Sequence, residues 1–180
     1  MPDIIIETAR LILRRFDTDD ADLQYRYCNS AAVTEHIGGQ KEFHQIEAAH
    51  AKTDASFARN GFGFMAMQEK QSGVFLGYCG AKLVDCPHAK NNGDTEMGWL
   101  VREDYWRRGF AFEAASALTA YMFERIAVPH ICAMTSERNL SSWRLMEKLG
   151  MVRRQELEFD DPDYPPQDNP TIVYVKENAK

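Results

Sequence analysis

Residues 95–123 read TEMGWLVREDYWRRGFAFEAASALTAYMF, and the fold turns on this stretch. Met97 to Val101 is a short apolar run suited to a buried strand. Further on, Ala111, Ala114, Ala115, Leu118, Tyr121, Met122 and Ile126 recur at steps of three and four, the period of a helix with one buried face. Between the two lies a charged turn that places Arg107 and Arg108 before Gly109. A helix N-terminus carries partial positive charge, so each arginine there is unfavourable by roughly 0.3–1 kcal/mol unless an anion is near. Unpaired amides, two guanidinium groups and a glycine that admits close backbone approach would together suit a phosphate or pyrophosphate. A second reading stands beside the first: a solvated turn in which Arg107 and Arg108 pair with Glu103 and Asp104.

Working outward toward the N-terminus, Asp85 to Asp94 is a polar hairpin connection, and Val74 to Val84 a strand. Gly77 and Gly80 within that strand point to a bulge or close backbone contact. Gln71-Ser72-Gly73 forms a hairpin turn. Gly61 to Ala66 matches GxGxxA, but a helix precedes it and an alternating strand follows, the reverse of a dinucleotide fingerprint; these glycines mark a turn into a strand. A helix is expected over 45–59, ended by Asn60-Gly61. Another runs from Thr18 or Asp19 to about Cys28, and 29–43 is a loop able to wall a cleft. Arg10 to Phe16 reads as the first strand after a short tail. Toward the C-terminus, Ile131 to Thr135 is a buried parallel strand. Asn139 caps the helix LSSWRLMEKLG, which Gly150 ends. Met151 to Phe159 alternates as a strand, 160–170 is an acidic, proline-rich loop, and Thr171 to Val175 is the last strand.

The order predicts an α/β fold of one domain over 1–180, a mixed sheet of about seven strands flanked by helices, with a ligand crevice where its parallel part begins. At 180 residues, 44% hydrophobic and 27% charged, the composition is that of an ordinary globular protein. A net charge of −6 disfavours a general nucleic-acid binder and suits a cationic substrate. The four cysteines, Cys28, Cys79, Cys86 and Cys132, form no CxxC pair and read as reduced thiols. Cys86, His88 and Asp94 match no metal-ligand spacing, so no metal is expected. Neither a signal peptide nor a membrane span is read from the sequence, and a cytoplasmic location is expected.

Three stretches together resemble the GNAT N-acetyltransferases: Arg10-Leu11-Ile12-Leu13-Arg14, Tyr105 to Ala114 (YWRRGFAFEA), and Asn139 to Ser142 continuing through Glu147 to Met151. The branch most similar is the ribosomal-protein alanine and serine N-acetyltransferase-like group, and the likeness spans residue 10 to about 175. It implies the acyl-CoA N-acyltransferase fold and acetyl-CoA as donor, its pyrophosphate held by main-chain amides of Arg107, Arg108, Gly109, Phe110 and Ala111. The family pattern [QR]-x-x-G-x-[GA] has Trp106 at its first position here. By the same resemblance Trp99, Leu100 and Val101 pair with the pantetheine arm like an added strand. Asn139 would bond that arm, and Ser142 would lie near the thiol.

Acetyl transfer from such a donor to a primary amine, a protein N-terminus or a small molecule, asks for a base. A lysine-like amine is neutral only about once in several thousand molecules at pH 7. Glu96, on the strand leading into the turn, is the first candidate; Asp160 and Asp161 follow, and Glu137 is a further candidate whose other reading is a local cap or a pair with Arg138. Ser142 is the candidate proton donor to the thiolate, because the family's usual tyrosine is Met146 here. Both Asn139 and Ser142 also fit a plain helix-cap role. His36, His44, His50 and His130 show no partner spacing. A non-catalytic acyl-CoA-binding sensor is the alternative function, and a monomer or homodimer is expected.

Overall fold

A computed structural model describes residues 3–179. Eight strands form one sheet in the order β1-β2-β3-β4-β5-β6-β8-β7. They are β1 Ile4–Glu7, β2 Leu11–Arg14, β3 Phe64–Glu69, β4 Phe75–Leu83, β5 Thr95–Val101, β6 His130–Ser136, β7 Val152–Arg153 and β8 Thr171–Glu177. The helices are α1 Asp20–Tyr27, α2 Ala31–Thr34, α3 Phe43–Asn60, α4 Phe110–Tyr121 and α5 Leu140–Lys148. Every pairing is antiparallel except β5 with β6, so the mixed sheet expected from the sequence is present, with one strand more.

Alternation along the strands divides the core. Leu11, Leu13, Met65, Met67, Cys79 and Met97 point to the face covered by α4, where Ala114, Ala115 and Leu118 pack. Ala66, Phe75 and Leu100 point the other way, toward Cys28 and Leu23 at the end of α1. Gly77 and Gly80 are where β4 crosses its neighbours most tightly. A Cβ on Gly77, at φ +136°, would fall 2.1 Å from the Leu100 carbonyl oxygen, and one on Gly80 would fall 2.3 Å from Phe64 Cα. The β3–β4 register shifts beside Gly77, as a bulge.

Four expectations change. The tail before Arg10 contains β1, an edge strand that buries Ile6 while Ile4 stays exposed. The loop 29–43 contains the short α2, capped by Ser30, whose side chain accepts from Val33 N–H. The strand expected from Met151 to Phe159 is only β7. After it the chain turns at Gln155–Leu157, drawn round by Arg153, which pairs with both Glu158 (2.6 Å) and Glu137 (2.8 Å). The α4 helix stops at Tyr121 and continues as a wider π turn over Met122–Ile126, closed by Ala127 at φ 61°.

Candidate active site

Strands β5 and β6 are paired at Glu96 and Cys132 alone, and β6 pairs along its length with β8. Beyond that point the two parallel strands part. A cavity of about 660 Å³ opens between them, with Gly98 and Trp99 on one side and Met134, Thr135 and Ser136 on the other. The parting leaves the outer edge of Trp99, Leu100 and Val101 without a β6 partner, while β4 holds the inner edge. Leu100 and Val101 bury their side chains in opposite cores and lie outside the cavity lining, whereas Trp99 lines it directly.

The turn after β5 is shaped before any ligand arrives. Arg107 (φ 62°) and Gly109 (φ 81°) both lie in the left-handed region, which costs a non-glycine residue of order 1–3 kcal/mol. The first helical bond of α4 runs from Glu113 N–H to the Gly109 carbonyl (3.1 Å), so the amides of Phe110, Ala111 and Phe112 lack helical acceptors. Phe110 itself is buried in the core, with the Arg10 guanidinium over its ring at 4.4 Å. The paired-turn reading of the arginines does not hold. Asp104 binds Arg102 instead (2.7 and 2.8 Å), and Arg108 donates only to the Asp104 main-chain oxygen. Arg107 forms no ion pair among the described residues. Trp106 donates its indole N–H to the Val101 carbonyl at 2.6 Å, tying the turn to the end of β5. From the β1–β2 connection, Arg10 donates to the Arg108 carbonyl (3.1 Å) and to Glu113 (2.6 Å), which also accepts from Thr8.

At the start of α5, the Asn139 side chain accepts from Ser142 N–H at 3.3 Å and donates to Thr135 Oγ1 at 3.0 Å. The cap is thus made by the Asn139 carboxamide and the Ser142 main chain, while the Ser142 side chain faces the cavity. Met146, at 2% exposure, borders the same cavity at the position where the resembled family usually carries a tyrosine.

On the opposite wall Glu96 and Lys82 are direct cross-strand partners, with Lys82 Nζ 3.3 Å from Glu96 Oε2. That buried oxygen has the Lys82 ammonium beside it and no other hydrogen-bond partner among the described residues. Burial pushes the Glu96 carboxyl above the usual carboxylate range, opposed only in part by the Lys82 charge. The Glu96 charge in turn raises the Lys82 ammonium against its own desolvation, so Lys82 stays positive. Two phenols join them. Tyr78 and Tyr164 line the same cavity, and burial pushes both phenols up from the usual tyrosine range, which keeps them neutral.

Of the residues singled out from the sequence, Glu96, Trp99, Asn139, Ser142 and Asp161 share this cavity. Asp160 is exposed and outside its lining. Glu137 pairs with Arg153, not Arg138, because its carboxylate points away along β7. Among the histidines, His36 reaches the cavity rim and His130 pairs with Asp94 at 3.0 Å. Lys82, Tyr78 and Tyr164 were missed. The Lys82 to Glu96 register could have been counted back from the Asp85–Asp94 hairpin, but nothing local marks Tyr164.

The chain is 28% identical over 153 residues to the uncharacterized N-acetyltransferase YnaD of Bacillus subtilis, covering 82% of each. The fold superposes on an acetyltransferase from Agrobacterium tumefaciens with TM-score 0.78 and 25% identity, covering 97% and 95% of the two chains. It also superposes on the ribosomal-protein alpha-N-acetyltransferase RimL in complex with coenzyme A, at TM-score 0.77 and 13% identity over 97% and 98%. Residues 10–152 match the Acetyltransferase (GNAT) domain, and the chain belongs to that family.

Proposed function

We propose that the protein is an N-acetyltransferase that moves an acetyl group from acetyl-CoA to a primary amine, by direct attack with donor and acceptor bound together. One observation carries this: a single cavity joins the parted edge of β5, where a thioester arm can lie, to a buried carboxylate whose inner oxygen has only the Lys82 ammonium beside it. The amides of 107–111, with Arg107 and Arg108, hold the donor's pyrophosphate. The main chain of Trp99, Leu100 and Val101 aligns the pantetheine arm, and Asn139 bonds it.

In the reaction the acceptor ammonium gives its proton to Glu96, directly or through water. The free amine then attacks the acetyl carbonyl, an N–C bond forms, and the nitrogen, now cationic, releases its second proton to water. The carbonyl oxygen gathers charge opposite a main-chain N–H of Leu100 or Val101. As the C–S bond breaks, its electron pair stays on sulfur, and Ser142 supplies the thiolate with a proton that it recovers from solvent. A carboxyl raised toward neutrality is better matched to this proton transfer at pH 7 than an ordinary one. Holding both reactants is worth about 7–11 kcal/mol in model systems.

Within the family we assign the chain to the ribosomal-protein N-acetyltransferase-like branch, acting as one unit in the cytoplasm as a monomer or homodimer. None of its helices is long and apolar enough to cross a membrane, among the described residues. A screen for CoA release from acetyl-CoA across protein N-termini and small amines tests the proposal. Turnover with at least one amine is expected. Acetyl-CoA binding without CoA release for any acceptor would favour the sensor instead.

A further inference from the structure

Phe64, Tyr78 and Lys82 wall the main cavity and, from their other side, a second one of about 320 Å³. This smaller space lies between the sheet and α3 and is closed by Phe16, Ala49 and His50. Its walls are aromatic and ordered: Phe16 stacks on His50 at 3.7 Å, and Phe64 meets Tyr78 edge-on at 5.3 Å. His50 holds Gln24 at 2.8 Å through Nε2, and burial lowers its basicity, so the ring is neutral near pH 7. The slot is mainly apolar, with Lys52 as a second cation on its lining and Lys82 at the opening it shares with the main cavity.

That opening presents a positive group beside a negative one, the Lys82 and Glu96 heads 3.3 Å apart, with no other partner on Glu96 Oε2 among the described residues. We infer that the acceptor is an α-amine on a residue with an apolar side chain, either a free amino acid or the first residue of a peptide. This rests on the N-acetyltransferase reading and narrows its substrate. In such a molecule the amine and the neighbouring carboxyl or carbonyl oxygen lie within hydrogen-bonding distance of one another, as do the two heads that would receive them. The amine meets Glu96, the oxygen meets Lys82, and the side chain enters the aromatic slot. Asp85, Asp161 and Asp163 along the main cavity draw the ammonium inward and disfavour an acceptor with a second carboxylate. A linear polyamine offers Lys82 no oxygen and would push a cation into an apolar slot.

Acetyl-CoA turnover with L-phenylalanine, a phenylalanine-led tripeptide, phenethylamine, spermidine and L-alanine tests the inference, with products identified by mass. The expected kcat/KM for phenylalanine or the tripeptide is at least tenfold above that for phenethylamine and spermidine, and whichever of the two leads identifies the source. Ala49→Trp, at the exposed rim of the slot, narrows it. It should raise KM for the phenylalanine acceptor at least tenfold and leave alanine within twofold. Lys82→Met should bring KM for phenylalanine to that of phenethylamine, with Lys82→Arg restoring it. Equal use of phenethylamine or spermidine, or an Ala49→Trp effect blind to side-chain size, overturns the inference and leaves the acetyltransferase reading intact. No turnover with any amine overturns both.

Discussion

Replacing Glu96 with glutamine changes the proposed base and little else. The two side chains have the same shape, and Lys82, whose side chain is 55% exposed, can return its ammonium to water once its partner is neutral. Loss of a positioned base is worth about 10²–10⁴ in rate, or about 3–5 kcal/mol of barrier. Folding stability should move in the other direction. Because burial raises the Glu96 carboxyl in the folded state, folding opposes its ionisation. Below the unfolded-state value the residue is neutral in both states and carries no penalty; as pH climbs through the folded-state value the penalty becomes complete. Glu96→Gln should therefore melt at or above the wild-type temperature at pH 8, with the gap closing toward pH 4. Meanwhile kcat/KM of the wild type should fall on the acid side at a pH above the ordinary carboxylate range, and the variant should lose that limb. CoA release followed with a thiol reagent, alongside thermal melts at both pH values, reads all three effects. Turnover within threefold of wild type, or a lower melting temperature at pH 8, would refute the assignment.

Other outcomes follow from contacts elsewhere. Ser142→Ala should lower kcat about 10²-fold with melting unchanged, since the α5 cap uses Asn139 and the Ser142 main chain; an unchanged kcat would limit Ser142 to a structural part. Gly109→Ala meets nothing closer than Arg10 Nη2 at 3.5 Å, so its cost is the left-handed backbone, about 1–2 kcal/mol. Acetyl-CoA affinity in titration calorimetry should weaken about tenfold, with KM for the amine unmoved. Asp20→Ala strips a bidentate partner from Arg14 (2.6 and 2.9 Å) at a site where Asp20 is 1% exposed. Urea unfolding should show a loss of about 3–5 kcal/mol.

Much of the fold was legible because its signals are local. The three- and four-residue spacing of α4, the Asn139 and Gly150 ends of α5, and the two β4 glycines each declare their structure within a few residues. Strand β1 was not legible: Ile4, Ile5 and Ile6 alone carry no period, and only the β2 edge makes them a strand. The short β7 was hidden by the reverse effect, since residues 151–159 alternate but Arg153 bends the chain through its two glutamates. In the site, Glu96, Asn139, Ser142 and the 107–111 turn could be named from sequence because they lie on recognisable elements. Lys82 acquires its meaning from pairing across β4 and β5, and Tyr164 from a loop that folds back over β6. Neither relation is written in the spacing of nearby residues.

The account depends most on a donor lying along the parted edge of β5 with its diphosphate on the turn after it. Amide hydrogen exchange with and without acetyl-CoA measures this residue by residue. Slowed exchange is expected at 99–101 and 107–112, where the amides have no β6 or helical acceptor, with little change in α3. Protection confined to other segments, or none at saturating acetyl-CoA, would contradict it.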